Sequence, residues 1–342
     1  MISWLEGEGK EKDIVLSSRI RLARNIENIK LPYLMTVPEA KKVIKIVEEA
    51  IITNNKSTDN KFEIYEIEKL SPLERNIFVE KHIISPSLLE KPNLSAFLLR
   101  NDEKVTIMVN EEDHIRIQVL LPGFNIEEGW KIGSEIDDLL ESNTIYAFDE
   151  RFGYMTCCPT NAGTGLRASV MVHLPGLVLT GYINQVLQAV NQIGLTVRGL
   201  YGEGSSALGN LFQISNQTTL GESEEDIMGK LRSIVLQIIT KERYAMLSLL
   251  NSRKVEIEDK VFRSLGILQN SRIISSKESM ELLSNVRMGI NMNMLKSINL
   301  NTINNLMIET QPANIQNQSE HELTVTERDI KRSEIIRDKI KI

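Results

Sequence analysis

The stretch Cys157 to Arg167, CCPTNAGTGLR, sets both cysteines of the chain side by side, against a proline and a run of small residues. Adjacent Cα atoms lie about 3.8 Å apart, below the roughly 4.4–6.8 Å that an ordinary disulfide spans, so one or both thiols are expected to be free. The small residues from Ala162 to Gly165 let backbone approach a ligand closely, and successive N–H groups there can form an anion-binding nest. Arg167 closes the stretch with a planar fork suited to bidentate phosphate contact. A second stretch, Asn110 to Arg116 (NEEDHIR), packs carboxylates, a histidine and an arginine together. Strand alternation would put Glu112, His114 and Arg116 on one face.

Two more pieces bear charge at suggestive spacing. Ser17-Ser18-Arg19-Ile20-Arg21 sets Arg19 and Arg21 on one face if extended, and Arg198-Gly199-Leu200-Tyr201-Gly202-Glu203 directly follows a strand pattern. Each piece alone also reads as a solvated turn, a tight loop or incidental surface charge. Together they offer Arg19, Arg21, Arg116, Arg167 and Arg198, with Glu112, Glu203 and a free thiol. Such a set could cradle a nucleoside triphosphate without a Walker-type lysine, which the chain lacks, and the carboxylates would face a cationic acceptor.

The elements that must position these residues follow from periodicity. Pro38–Ile52 reads as an amphipathic helix, Ser95–Asn110 as a hairpin turning at Asn101-Asp102, and His114–Leu121 as a further strand. Residues 126–141 and Gly181–Ile193 carry helical spacing. Tyr154–Cys158, Ala168–Leu174, Leu195–Val197 and Leu211–Ser215 read as short strands. A long helix runs from about Ser223 to Leu250, after which only helical spacing appears, with an Asn-rich stretch through 291–319. The expected fold is therefore α+β. A mainly antiparallel sheet flanked by helices occupies 1–250, and a small all-α domain occupies 251–342.

Bulk properties narrow the class. The 342 residues are 42% hydrophobic and 25% charged, as in ordinary globular proteins. No apolar run is long enough to span a membrane and the first residues carry no apolar signal core, so a cytoplasmic protein is the expectation. Free thiols suit a reducing compartment. The formal charge of −6 argues against a nucleic-acid binder that neutralises phosphates. Four scattered histidines and no CxxC offer no metal-ligand spacing.

Over residues 13–245 the S-[ST]-R-x-R strand, NEEDHxR segment, CPTNxGT loop and RGxxGE turn stand in the order found in the phosphagen (guanidino) kinase superfamily, which the chain resembles. The C-terminal part (SRIISSKESMELLSNVRMGI, then Arg328-Asp329-Ile330-Lys331-Arg332-Ser333) is similar to the bacterial protein-arginine kinase family. Small-molecule members carry a helical domain before the arginine strand, which here starts at Asp13.

The resemblance implies a phosphagen-kinase catalytic domain, ATP as phosphoryl donor, and Mg²⁺ held through its phosphates with Glu111 nearby rather than by a side-chain ligand set. It implies a nucleotide site of Ser17, Ser18, Arg19, Ile20, Arg21, His82, Arg116, Arg167, Ala168, Ser169, Val170, Met171 and the turn Arg198, Gly199, Leu200, Tyr201, Gly202, Glu203. Met171 stands where small-molecule kinases usually have histidine, and Tyr201 where arginine kinases carry another arginine. A guanidinium is a poor nucleophile. Glu112 and Glu203 are therefore implied to orient it, with Glu112 accepting its proton and Cys158 touching it as a thiolate. Cys157, alternating to the other face, is expected in the core.

Arg328, Asp329, Arg332 and Ser333 match the family's RDxxRA phosphoarginine-sensing motif, with Ser333 in place of alanine. The implied partners are protein substrates reached through arginine side chains, basic or DNA-binding regulators among them. A Clp-type unfoldase, a zinc-binding activator and a second copy of the chain complete the set, with roles in protein degradation and stress. No nucleic acid or membrane is implied. The competing readings are a free guanidino-compound kinase and a phosphoarginine-binding adaptor with a vestigial kinase site.

Overall fold

The computed structural model describes residues 3–7, 9–53, 61–199 and 208–341. In chain order the strands are β1 (Val15–Arg24), β2 (Phe62–Glu66), β3 (Ala96–Arg100), β4 (Val105–Val109), β5 (Ile115–Pro122), β6 (Phe148–Asp149), β7 (Gly153–Tyr154), β8 (Leu166–His173), β9 (Leu195–Gly199) and β10 (Leu211–Asn216). The helices are α1 (Val37–Glu48), α2 (Pro72–Glu80), α3 (Ile126–Glu141), α4 (Pro175–Leu179), α5 (Ile183–Gln192), α6 (Glu224–Ser252), α7 (Lys254–Asn270), α8 (Ser276–Asn291), α9 (Leu300–Glu309), α10 (Pro312–Gln316) and α11 (Val325–Lys339).

Eight strands form one sheet in the order β2-β3-β4-β5-β1-β8-β10-β9, and every pairing is antiparallel. The α+β expectation holds. β1 sits between β5 and β8, and from Arg19 to Leu22 its residues alternate polar and apolar. Ile20 and Leu22 point into the core beneath α3, where a Cβ at Gly129 would stand only 3.0 Å from the Ile20 side chain. The same alternation sends Arg19 and Arg21 to the opposite face.

Helix α6 starts where Ser223 Oγ accepts the Asp226 N–H (3.1 Å), and Glu224, Glu225 and Asp226 occupy its first turn, where carboxylates complement the helix dipole. It ends at Ser252 and the chain turns into α7 at Arg253. One continuous hydrophobic cluster runs from Ile14 through the sheet and α6 into Val261, Leu283, Ile303 and Ile336. The helical part is thus packed on the sheet, near the ends of β1, β8 and β10.

A buried polar knot fixes that packing. Arg287, fully buried, donates to the carbonyls of Lys12 (2.9 Å) and Asp13 (2.8 Å), to Asn304 Oδ1 (2.9 Å) and to His173 Nδ1 (2.9 Å). His173 Nε2–H then donates to Ser284 Oγ (2.8 Å). The imidazole is held neutral, its pKa pushed well down by burial and by Arg287.

Two local expectations change. Tyr154–Cys158 is a strand only at Tyr154, because the Cys157 N–H is taken by the Asp113 side chain (2.7 Å) and Pro159 has no N–H to pair. Asn110 adopts φ +58 and its N–H bonds the His114 carbonyl (2.9 Å), so Glu111 to His114 form a hairpin turn and β5 starts at Ile115.

Candidate active site

Register brings the arginines together. Arg21 lies opposite Arg167 on one side and Gln118 on the other; Arg19 lies opposite Ser169 and Leu120. Gln213 pairs with both Met171 and Arg198, and Arg116 lies two residues before Gln118 on β5. All five arginines therefore project from one face of the sheet. Ile20, Ala168 and Val170 of the expected nucleotide set point the other way, into the core, and Ser18 bonds the Gly123 carbonyl (2.8 Å).

Concentrated positive charge and burial act against each guanidinium here. Burial, then Arg167 and Arg116, pushes Arg19 down to about 10; Arg21 is driven well below its ordinary value by burial, then by Arg19 and Arg116. Arg21 Nε is buried with no hydrogen-bond partner. A polyanion would supply what this face lacks: opposite charge and acceptors for the buried donors. Arg19 is oriented by Gln213 Oε1, which accepts its Nη2–H at 2.9 Å.

A cleft of about 830 Å³ opens over this face, lined by Arg19, Arg21, Arg167, Arg198, Gly199 and His82 among others. His82 sits at φ +59, held over the sheet by Gln118 Nε2, which donates to the carbonyls of His82 (2.9 Å) and Ile83 (3.0 Å). Burial and Arg19 push its imidazole down to about 4, so it is neutral at physiological pH.

At the rim, Arg116 joins the sheet to the carboxylates. Its guanidinium pairs with Glu111 and donates to Glu112 Oε2 at 2.9 Å. Glu111 is enclosed and also takes the Ser85 hydroxyl; the Glu112 side chain is 44% exposed. Glu112 is thus the carboxylate an incoming group can reach.

The NEEDHIR and CCPTNAGTGLR stretches meet at Asp113. Its Oδ1, fully buried, accepts from Asn25 Nδ2 (2.7 Å) and from the Cys157 N–H (2.7 Å). His114 does not join Arg116 on the cleft face. Its Nδ1 accepts the Ile26 N–H (2.9 Å), so Nε2 carries the proton and donates to the Lys30 carbonyl (2.8 Å). Both cysteines are free. Cys157 is half-buried rather than core, and burial, then Asp113, pushes its thiol up to about 12. Cys158 Sγ lies 3.0 Å from Thr160 Oγ1.

The loop's far side is anchored by Arg24, which donates to the Thr164 carbonyl (3.0 Å) and pairs with Asp137 (2.6 Å). Gly163, at φ +102, passes so close to Thr219 that a Cβ would stand 2.5 Å from its carbonyl oxygen. Sequence reading passed over Asp113, Asn25, Gln118, Gln213 and Arg24; strand alternation from Arg116 would have found Gln118, whereas Gln213 reaches the face only through the pairing of β10 with β8. Leu200, Tyr201, Gly202 and Glu203 lie outside the described residues.

Behind the helical wall of the cleft, Arg332 on α11 is buried, donating to the carbonyls of Ile274 (2.8 Å) and Thr310 (2.9 Å) and pairing with Asp329. Ser333 Oγ donates to the Arg272 carbonyl (2.7 Å), and Arg328 to that of Leu323 (2.7 Å). Among the described residues no helix is long and apolar enough to cross a membrane.

Comparison with known proteins bears on the family and the fold. Residues 42–245 match the ATP:guanido phosphotransferase C-terminal catalytic domain, and residues 254–342 match the protein-arginine kinase McsB C-terminal domain. The protein-arginine kinase of Geobacillus stearothermophilus is 51% identical over 340 residues, 99% of this chain and 94% of that one. The protein-arginine kinase of Halalkalibacterium halodurans is 51% identical over 339 residues, 99% of this chain and 95% of that one. Among solved structures, lombricine kinase superposes with a TM-score of 0.60 at 27% identity, covering 71% of this chain and 70% of that one. The chain belongs to the protein-arginine kinase family and is an enzyme with a phosphagen-kinase catalytic domain.

Proposed function

We propose that the chain transfers the γ-phosphoryl group of ATP to the guanidinium of arginine side chains in proteins. The observation that carries this reading is the five-arginine face joined through Arg116 to an exposed carboxylate, Glu112. Arg19, Arg21, Arg116, Arg167 and Arg198 hold the phosphates and stabilise charge on the transferring group. Among the described residues no cluster of acidic, histidine or cysteine side chains is arranged to hold a metal ion. Mg²⁺ would be carried in on the phosphates and would offset their charge.

Glu112 and Glu203 bind the acceptor's N–H fork, and Glu112 takes the proton as the N–P bond forms and the γ-P–O bond to ADP breaks. Glu111, committed to Arg116 and Ser85, acts by holding Arg116 in place. Cys158 borders the acceptor from the loop that Asp113 pins to the NEEDHIR turn.

Residues 1–250 serve as the catalytic unit and 251–342 as a regulatory unit that joins two copies of the chain. Arg328, Asp329, Arg332 and Ser333 sense phosphoarginine; the ties of Arg332 to Ile274 and Thr310 support a route from this segment to the cleft. The cytoplasmic product would mark proteins for a Clp-type protease under stress, with a zinc-binding activator. The test offers Mg-ATP with free arginine or with an arginine-rich protein. Preferential transfer to the protein supports the reading; equal use of free arginine indicates a metabolic guanidino kinase.

A further inference from the structure

The cleft changes character along the strands. Arg21, Arg167 and Arg116 crowd one end, whereas four residues back along β1, Ser17 lies opposite Met171. At about 3.3 Å per residue this is roughly 13 Å, a span over which a nucleoside triphosphate passes from its γ-phosphate to its base. The far end is apolar and is built from both parts of the chain. Trp4, Met171 and Leu211 line it from the sheet side, and Met280, Met307 and Ile308 from α8 and α9. Trp4 and Ile308 pack in one cluster with Leu5 and Leu120, so this junction is closed by apolar contact.

The helical wall is cross-tied by two buried guanidinium groups. Arg332 ties the Ile274 carbonyl, just before α8, to the Thr310 carbonyl, just after α9. Arg287 Nε donates to Asn304 Oδ1 at 2.9 Å, which orients that amide and leaves its NH₂ as a donor at the cleft wall. Met171, Met280 and Met307 all line this end of the cleft, Met280 and Met307 from nearly fully buried positions, and thioethers make a polarizable surface suited to an aromatic ring, with Asn304 alongside as a donor.

We infer that the helical domain supplies half of the base-recognition site, the purine lying between Met171 on the sheet and Met280 and Met307 on α8 and α9. This rests on the reading of the cleft as the nucleotide site. It means that a surface outside the phosphagen-kinase domain sets nucleotide affinity and base selectivity, while the arginine face alone sets affinity for the phosphates.

Two experiments on the full chain test it. Wild-type protein is photolabelled with 8-azido-ATP and the adducts are mapped by mass spectrometry. A base-attached adduct within residues 276–309 is expected; adducts confined to residues 1–250 overturn the inference. Separately, ATP and inorganic tripolyphosphate are titrated calorimetrically into wild type and into a Met280→Ala, Met307→Ala variant. ATP should weaken about tenfold or more, through lost apolar contact, with tripolyphosphate unchanged. Unchanged ATP affinity in the folded variant, or equal weakening of both ligands, overturns the inference. Wild type that binds neither ligand refutes the underlying nucleotide reading itself. If the variant does not fold, the labelling map decides alone.

Discussion

Replacing Asp113 by alanine should cost both stability and turnover, and the structure says how much of each. Asp113 is fully buried and its Oδ1 accepts two hydrogen bonds of 2.7 Å, from Asn25 Nδ2 and from the Cys157 N–H. Alanine leaves the Cys157 N–H without its acceptor, while Asn25 Nδ2 keeps the Met155 carbonyl (3.0 Å), so the loss should be roughly 1–3 kcal/mol. The same change unpins the CCPTNAGTGLR loop from the turn that carries Glu112. A displacement near 1 Å at the acceptor should lower kcat about 10–100-fold. The ATP KM should stay near wild type, because the arginine face is untouched. Asp113→Asn keeps an acceptor oxygen and should recover most of the stability. Urea unfolding midpoints and steady-state kinetics at saturating ATP measure all three. An Asp113→Ala protein with wild-type midpoint, or one whose ATP KM rises while kcat holds, would refute the positioning role.

Other consequences follow from the same contacts. Arg21 is held charged although burial and its neighbours oppose it, so at neutral pH the folded state carries a penalty that the unfolded chain lacks. Arg21→Met should raise the melting temperature and abolish ATP-dependent transfer; a lower melting temperature contradicts this. Glu242 is raised to about 7 by burial, against the pull of the Leu177 and Gly176 N–H groups. Its folded pKa lies above the unfolded value, so the folded chain binds the extra proton and this group's contribution falls as pH rises from about 4.5 to 7. Urea midpoints across that range should show the slope diminished in Glu242→Gln, and an unchanged slope rules Glu242 out as its source. At pH 8 a thiol near 12 is about one part in ten thousand thiolate, so Cys157 should resist iodoacetamide; rapid Cys157 labelling by mass spectrometry would count against its assigned surroundings. Arg328→Ala should keep basal catalysis and lose any response to added phosphoarginine, and a wild type whose activity ignores phosphoarginine removes the sensing role.

Part of the site was readable because strand alternation is local. Arg19 to Leu22 and Leu166 to Met171 follow the two-residue period, which separates cleft face from core face, although the resemblance had put Ile20, Ala168 and Val170 in the nucleotide set with the arginines. The NEEDHIR alternation failed because Asn110 at φ +58 starts a turn, and His114 goes to cap the loop at Ile26 and Lys30 instead of lining the cleft. The contacts between distant segments were not readable. Nothing near Asp113 announces that its carboxylate holds Cys157, and nothing in α8 or α9 marks Met280 and Met307 as a cleft wall. The burial of Arg287, Asn304 and Arg332 has no local signature, because only tertiary packing decides whether a guanidinium is solvated or bonded to carbonyls. The charge-rich segment TERDIKRSEIIRDKI holds one such arginine, Arg332, within the fold.

The central claim is that the arginine face and Glu112 together phosphorylate protein arginine. Its most direct test incubates wild type and Glu112→Gln with Mg-ATP and an arginine-rich protein, then locates acid-labile phosphate by mass spectrometry under neutral handling. Wild type should place phosphate on arginine nitrogen. Glu112→Gln should bind ATP normally and lose most of the transfer. Phosphate found only on hydroxyl side chains, or full transfer by Glu112→Gln, would contradict the account.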